Sequence, residues 1–395
     1  MRNDKILLIE ICNFSDYPIG GYLSFAKQLL TVYGNQLALV GLVTDDETPT
    51  GIWIKKKIDG TVYDFFAVKR VSKDSRKKII PERLKNYYYV RKYRKEILSL
   101  NISNLFIQTP EVLFAINASV KLNLCCVIPG LENPLLISRY SYSKYFSKIF
   151  DIIYFNFLKK ARIIFATGDN DALKDYLVRS KGVLNSNKII KFPSRVNTNI
   201  FKLFNKEDSK KKIGWSLSKS YVVTSGRLSQ LKGWKFMLDC FIEFKKANPN
   251  SHFVFIGDGE DKEKIKGYII RKKLISNVTI TGQIDHNQLS TYLNAADLYI
   301  MGSYVEGWST SLVEAMACAN PVVCTDFSSA SELIDQGFNG FVIKNRNQDE
   351  YVNAMLNSLD LPLNNLIIKS KEMKKYSTDL LKSDISKHWK LDKGL

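Results

Sequence analysis

Between Glu306 and Glu314 the chain reads Glu-Gly-Trp-Ser-Thr-Ser-Leu-Val-Glu, placing two carboxylates on either side of a loop that runs into a helix. Leu298-Tyr299-Ile300 has the pattern of a short buried strand, and Gly302 to Trp308 that of a loop. Ser309 or Thr310 suits a helix N-cap, and the apolar run through Ala317 stops at Asn320-Pro321. The free amides of Thr310, Ser311 and Leu312 then point out of a helix start, a place that holds phosphate. A phosphate there leaves Glu306 on the loop and Glu314 one turn inside the helix, each near a polyol end of a nucleoside diphosphate-sugar. The same spacing also fits an ordinary capped helix with an exposed Glu314.

Upstream residues supply cations. Tyr221-Val222-Val223-Thr224 reads as a strand, followed by Ser225-Gly226-Arg227-Leu228-Ser229-Gln230-Leu231-Lys232-Gly233-Trp234 and an amphipathic helix through Phe244. Arg227 offers a planar fork and Lys232 a point charge to a diphosphate; a solvated basic loop is the other reading. His252 to Ile256 and Asn277 to Thr281 are further strands, ending at Gly257-Asp258-Gly259 and Gly282. Four strand-to-loop junctions with helices between them predict a parallel sheet with its ligand at the carboxyl ends of the strands.

These segments together resemble the nucleotide-binding half of glycosyltransferase family 4, retaining enzymes of the GT-B fold. The resemblance covers residues 221–343 and rests on Ser225-Gly226-Arg227-Leu228 with Lys232-Gly233, Ile256-Gly257-Asp258-Gly259, Glu306-Gly307-Trp308 with Leu312 to Ala317, and Pro321-Val322-Val323. It implies an α/β chain of two Rossmann-like domains with the donor in the cleft between them. Catalytic roles fall on Arg227 and Lys232 at the diphosphate and on Glu306 at the transferred sugar. Glu314 is expected at the donor ribose, and Gly226, Gly257, Gly282, Gln283, Gly307, Trp308, Ser309, Thr310, Ser311 and Leu312 complete the donor site. In the first half, Pro18-Ile19-Gly20-Gly21 resembles the family's Gly-Gly loop beside the donor phosphates, though a tight turn reads the same way.

A chain of 395 residues with 45% hydrophobic content is long enough for two cores. The expected domains are 1–197, with a helix of about 376–395 packing back on it, and 205–372. First-domain strands are expected at Lys5 to Ile9, Gln36 to Leu42, Asn104 to Ile107, Leu124 to Ile128 and Ile163 to Thr167. The segment Phe192-Pro193-Ser194-Arg195-Val196-Asn197 resembles the family's interdomain Pro-Asn-Gly-Val-Asp, with Arg195 where Gly is usual. Another departure is Pro129-Gly130, where family members often carry His-Gly; all three histidines, His252, His286 and His388, lie in the second half. Gly130 and Glu132 are the acceptor-side candidates, Glu132 also reading as a surface carboxylate. The resemblance implies transfer of a hexose or N-acetylhexosamine, from a UDP-sugar in preference to a GDP-sugar, to a glycan or lipid-linked glycan in cell-surface polysaccharide synthesis. A catalytically silent GT-B nucleotide-sugar-binding protein and a GT-B sugar-nucleotide epimerase are the rivals.

The formal net charge is +19, and residues 1–200 hold 31 Lys and Arg against 17 Asp and Glu. Twelve Lys and Arg crowd Lys69 to Lys95, with Tyr87-Tyr88-Tyr89 and Tyr93 among them. Cations with interfacial aromatics suit an anionic membrane surface, and Phe146, Ile149, Ile152, Ile153, Phe155 and Phe157, near Lys144, Lys148, Lys159, Lys160 and Arg162, add an apolar contact. A solvated basic helix is the alternative, and nucleic-acid binding is not expected. The start of the chain lacks a signal-peptide pattern, no long uncharged apolar stretch exists, and six scattered cysteines suit a reducing cytosol. The expectation is therefore a cytoplasmic protein peripherally attached to the inner membrane face. Asp169-Asn170-Asp171 reads as a helix N-cap region, and neither a metal nor a cofactor is expected.

Overall fold

The computed structural model describes residues 5–18, 20–72, 81–116, 122–136 and 141–392. They form two compact units, residues 1–193 with 379–395, and residues 194–378.

The first unit is built on eight strands: β1 (Ile6–Ile9), β2 (Leu37–Val43), β3 (Trp53–Ile58), β4 (Thr61–Arg70), β5 (Asn104–Ile107), β6 (Asn123–Ile128), β7 (Ile163–Ala166) and β8 (Ile189–Lys191). Their order is β3-β4-β2-β1-β5-β6-β7-β8, parallel except for the β3–β4 hairpin. Burial on both faces explains the near-continuous apolar runs. In β1, Leu7 and Ile9 enter one core while Ile6 and Leu8 enter the other. The hairpin, β8 and the extension of β4 lie outside the strands expected from the sequence. Lys55-Lys56-Lys57 obscures the alternation in edge strand β3, although Asp59-Gly60, both at positive φ, is a turn suited to a hairpin.

The second unit adds β9 (Ser220–Ser225), β10 (Ser251–Ile256), β11 (Val278–Ile280), β12 (Leu298–Met301), β13 (Val322–Thr325) and β14 (Gly340–Ile343). All pairs are parallel, in the order β11-β10-β9-β12-β13-β14. This order reverses direction at β9, so the loops after β9 and β12 leave adjacent strands at a topological switch point, where such sheets bind ligands.

The unit boundaries follow from backbone pairing. Val196 and Tyr376 are joined by Val196 N to Tyr376 O at 2.9 Å, Thr378 N donates to Val196 O at 2.9 Å, and Arg195 Nη1 donates to Lys375 O at 3.0 Å. Arg195 thus binds a carbonyl of the returning chain, and residues 194–204 and 373–378 belong to the second unit rather than to a linker. The terminal helix Leu381–His388 belongs to the first unit. Its Leu381 and Ile385, with Trp389 beyond it, enter the core beside Phe106 and Phe165, and Trp389 Nε1 donates to Asn123 Oδ1 at 2.9 Å.

Trp389 is 1% exposed, so Trp389→Ala removes a large buried ring and its hydrogen bond. The expected cost is about 3–5 kcal/mol, read as a lower urea midpoint for the first unit; a loss below about 1 kcal/mol contradicts this packing.

Candidate functional site

The site residues of the second unit stand on the loops that leave the carboxyl ends of β9, β10, β11 and β12. After β9, Gly226 at φ 127° leads to Arg227, and a 3₁₀ turn, Gln230–Lys232, ends at Gly233 in the left-handed region. A Cβ at Gly233 would overlap the Gly302 carbonyl of the loop after β12, so only glycine lets these two loops touch. A Cβ at Gly257 would likewise overlap the Gly226 carbonyl, holding the β9 and β10 loops together. Gly257 also bridges Gly282, and Gln283 is exposed beside it.

The loop after β12 is clamped from several sides. Arg346 Nη1 donates to Gly302 O at 2.8 Å, and its guanidinium lies 3.7 Å from the Tyr304 ring centroid. Thr325 Oγ1 donates to Ser303 O at 2.7 Å, and the Tyr304 amide donates to Leu231 O at 2.8 Å. These bonds bring Lys232 Nζ onto Glu306 Oε1 as an ion pair, with Ser303 Oγ donating to the same oxygen at 2.7 Å. The sequence reading assigned Lys232 and Glu306 to different parts of a donor, and the structure joins them. Arg227 Nε pairs with Glu260 at 2.8 Å, and both side chains are largely exposed. An exposed pair of this kind is worth little and yields readily to a better anion.

The helix Thr310–Ala317 starts as expected, with Ser309 at its N-cap. The Leu312 amide donates to Ser309 Oγ at 3.3 Å, which corrects the expectation that it is free. Those of Thr310 and Ser311 have no acceptor among the described residues and stay open to an anion. The Trp308 ring is buried against Tyr376, 5.2 Å between centroids, so it serves the core and offers a ligand only its backbone. Gly307 between Glu306 and Trp308 is partly exposed. Glu314 is not an exposed helix residue: it is 9% exposed. Burial pushes its carboxyl up to about 8. Nearby, Tyr299 Oη and Ser225 Oγ lie 3.0 Å apart. The contributions of Thr325 and Arg346, which bind loop carbonyls, and of Ser303, which donates to Glu306, were not legible in the sequence.

In the first unit, exposed Gly20 and Gly21 open the helix Gly21–Tyr33, and exposed Gly130 and Glu132 follow β6. Glu132 is at the carboxyl end of the sheet but no contact ties it to a ligand site. Asp169 Oδ1 accepts from the Ala172 amide at 2.7 Å, the N-cap role read from the sequence. Among the described residues no group of His, Cys, Asp and Glu is arranged to hold a metal ion.

Residues 205–379 match the family model described as glycosyl transferases group 1. The second unit is a group 1 glycosyltransferase domain. TuaC of Bacillus subtilis, named for teichuronic acid biosynthesis as a glycosyltransferase, is 38% identical over 130 residues, 32% of this chain and 30% of that protein. The chain thus spans about a third of the length of the curated relatives it matches. Among solved structures, sucrose-phosphate synthase of Thermosynechococcus elongatus has a TM-score of 0.76 at 16% identity, covering 97% of each chain. Anabaena HepE in complex with UDP-glucose has a TM-score of 0.71 at 16% identity, covering 97% of this chain and 98% of that one. The glycosyltransferase domain and the sheet preceding it therefore have the GT-B architecture.

The buried Glu314 makes a pH prediction. The folded chain holds a proton up to about pH 8 that the unfolded chain releases near its ordinary 4.5. Its stabilising contribution is complete below the lower value and is lost as pH rises through the upper one. Glu314→Gln stays neutral throughout, so its stability relative to the parent rises between about pH 5 and 8, by at most about 1.4 kcal/mol per pH unit. Urea unfolding at several pH values checks this, and a difference that does not change with pH contradicts it.

Proposed function

We propose that the chain is a retaining glycosyltransferase of family 4 that moves a hexose or N-acetylhexosamine from a UDP-sugar to a glycan or lipid-linked glycan. The observation that carries this reading is the Lys232–Glu306 pair with Ser303, set beside the open amides of Thr310 and Ser311 on a group 1 domain. A diphosphate seated on those amides draws Lys232 away from Glu306, and Arg227 turns from Glu260 to complete the anion site. Glu306, released from Lys232, accepts hydrogen bonds from hydroxyls of the sugar, while Glu314 takes the ribose. UDP is preferred because UDP-glucose occupies the structural relative HepE, and polysaccharide synthesis because of the naming of TuaC.

In the reaction the bond from the sugar C1 to the phosphate oxygen breaks and the acceptor oxygen bonds C1 from the same face. The acceptor proton passes to the departing phosphate oxygen, so Pro129 in place of a histidine does not remove a required base. Lys232, Arg227 and the two amides stabilise the charge that develops on the leaving diphosphate. No metal or cofactor takes part in this scheme, and Gly226 and Gly282, on the loops after β9 and β11, let backbone approach the donor.

The membrane assignment also belongs to this proposal, with Lys69, Arg70 and Arg94 taken out of its surface. Lys69 is buried and pairs with Glu82 at 3.0 Å, so it is not a surface cation. Arg70 binds the carbonyls of Asp45, Asp46 and Thr48, Arg94 binds that of Ile116, and residues 73–80 lie outside the described ones. Phe155 is in the core. Tyr145, at 86% exposure, and exposed Phe146, Ile149, Ile152 and Ile153 make a continuous apolar face along the helix Ser147–Leu158 and the turn before it. Exposed Lys144, Lys148, Lys159 and Lys160 border it. Apolar side chains among cations fit an anionic bilayer, here the cytoplasmic face of the membrane. Among the described residues no helix is long and apolar enough to cross a membrane.

Lys232→Ala or Glu306→Ala is expected to lower transfer by about a hundredfold or more with the thermal midpoint little changed. UDP release and glycoside formation over a panel of UDP- and GDP-sugars measure it, and undiminished turnover in either variant refutes the assigned roles. Product NMR should give the anomeric configuration of the donor; inversion refutes retention. Donor binding without transfer or hydrolysis would identify the silent alternative, and epimerised donor the epimerase. Separately, Ile149→Glu with Ile152→Glu is expected to abolish sedimentation with phosphatidylglycerol vesicles, and unchanged sedimentation refutes the membrane face.

A further inference from the structure

At the amino end of the second unit's sheet, opposite the loops that carry Lys232 and Glu306, a cavity of about 710 Å³ opens between helix ends. It lies before β12 and β13, walled by Leu293, Pro321, Leu359 and Leu366, and exposed Phe204 and Leu363 complete the apolar lining where it meets solvent. Small-molecule sites typically enclose about 300–1,000 Å³. None of its lining residues belongs to the donor site described above.

Two polar side chains in this wall lack partners. Asn320 is 4% exposed and Ser358 1%. Asn320 Nδ2 donates to Leu293 O at 2.9 Å and to Ala315 O at 3.1 Å, which fixes the amide and leaves its Oδ1 without a hydrogen bond among the described residues. Ser358 Oγ has none either. Other polar lining residues are engaged: Asn294 accepts from the Phe204 amide and donates to Lys202 O, and Asn205 caps the helix Lys206–Lys212. Buried polar atoms are ordinarily paired, so two left open on one cavity point to a ligand that brings hydrogen-bond donors.

The electrostatics select the donor. Helices His286–Ala295, Thr310–Ala317 and Gln348–Ser358 all end at this cavity, and none has a basic residue in its last turn. Each such end carries about half a negative charge, which a cation offsets. Glu207 and Asp297 add carboxylates to the lining against one cation, half-exposed Lys206, whose Nζ lies 3.2 Å from Asp297 Oδ1. Lys210 holds the other Asp297 oxygen at 2.8 Å. A phosphate or carboxylate would meet this potential, and the lone pairs of Asn320, unfavourably. An ammonium group donates to the open oxygens and offsets the helix ends, while a hydrocarbon body covers the leucines.

We propose that this cavity binds a primary amine in its ammonium form, carried on a short aliphatic body. The site lies outside the glycosyltransferase reading and does not depend on it.

Titration of the full chain with n-octylamine, n-octanol and octanoate at neutral pH, by isothermal calorimetry, tests it. n-Octylamine should bind about fivefold or more tighter than n-octanol, and octanoate should not bind measurably. Ser358→Ala removes a hydroxyl that has no partner in the free protein, so it should keep the parent's thermal midpoint and weaken n-octylamine about tenfold. Leu363→Lys, at an exposed position, should abolish binding. Leu363→Glu loses the same leucine but adds a carboxylate, and should bind the amine more tightly than the lysine variant does. The proposal is overturned if n-octylamine does not bind the parent protein, if octanoate binds as tightly, or if Ser358→Ala and Leu363→Lys both bind the amine as the parent does. Binding kept in Leu363→Lys but lost in Ile149→Glu with Ile152→Glu would also overturn it, placing the amine on the apolar face of the first unit.

Discussion

The ammonium of Lys232 and the carboxylate of Glu306 come from loops after two different strands, and the second unit is arranged so that they meet. Both loops are held largely by partners outside them. Gly233 admits the Gly302 carbonyl, Arg346 and Thr325 hold the carbonyls of Gly302 and Ser303, and the Tyr304 amide closes on Leu231. Tyr351 adds a hydroxyl shared by the carbonyls of Met301 and Val323, fixing the ends of the two strands themselves. A partly buried ion pair contributes more than an exposed one, yet its charges remain desolvated in part. That makes it exchangeable for a ligand that carries an anion for the lysine and hydroxyl donors for the glutamate.

The second unit concentrates positive potential and open amides at the switch point of its sheet. At the corresponding carboxyl end of its own sheet, the first unit buries the polar side chains Glu10, Gln108, Thr109 and Glu111. The two sheets thus differ in the chemistry they present although they share a βαβ plan. The apolar face of the helix Ser147–Leu158 belongs to the first unit as well.

Much of this was legible in the sequence where a residue acts through local geometry. The strand-loop-helix order, the Ser309 cap and the Asp169 cap depend on neighbours in the chain, and the parallel sheet follows from apolar runs buried on both faces. Residues that act over long separations were not legible. Arg346 reads as one more basic residue, and the pairing of Lys232 with Glu306 depends on a contact between loops 74 residues apart. Trp308 and Leu312 stood in a ligand-binding motif, but the side chain of one and the amide of the other are spent within the fold. Lys69 counted as surface charge until its burial beside Glu82 was seen, because net charge carries no information on which side chains face water. Glu10 is a single carboxylate ending an apolar run, and only the register of β1 with β5 sets it beside Gln108.

The central claim is that Glu306 competes with the donor diphosphate for Lys232 and then serves the sugar. Isothermal titration of Glu306→Gln with UDP and with the UDP-sugar that turns over tests it most directly. The account predicts that UDP binds the variant at least as tightly as it binds the parent protein, while the added affinity of the sugar-bearing donor over UDP is lost. Equal loss of affinity for UDP and for the UDP-sugar would contradict it, since Glu306 would then support the site as a whole and not the transferred sugar.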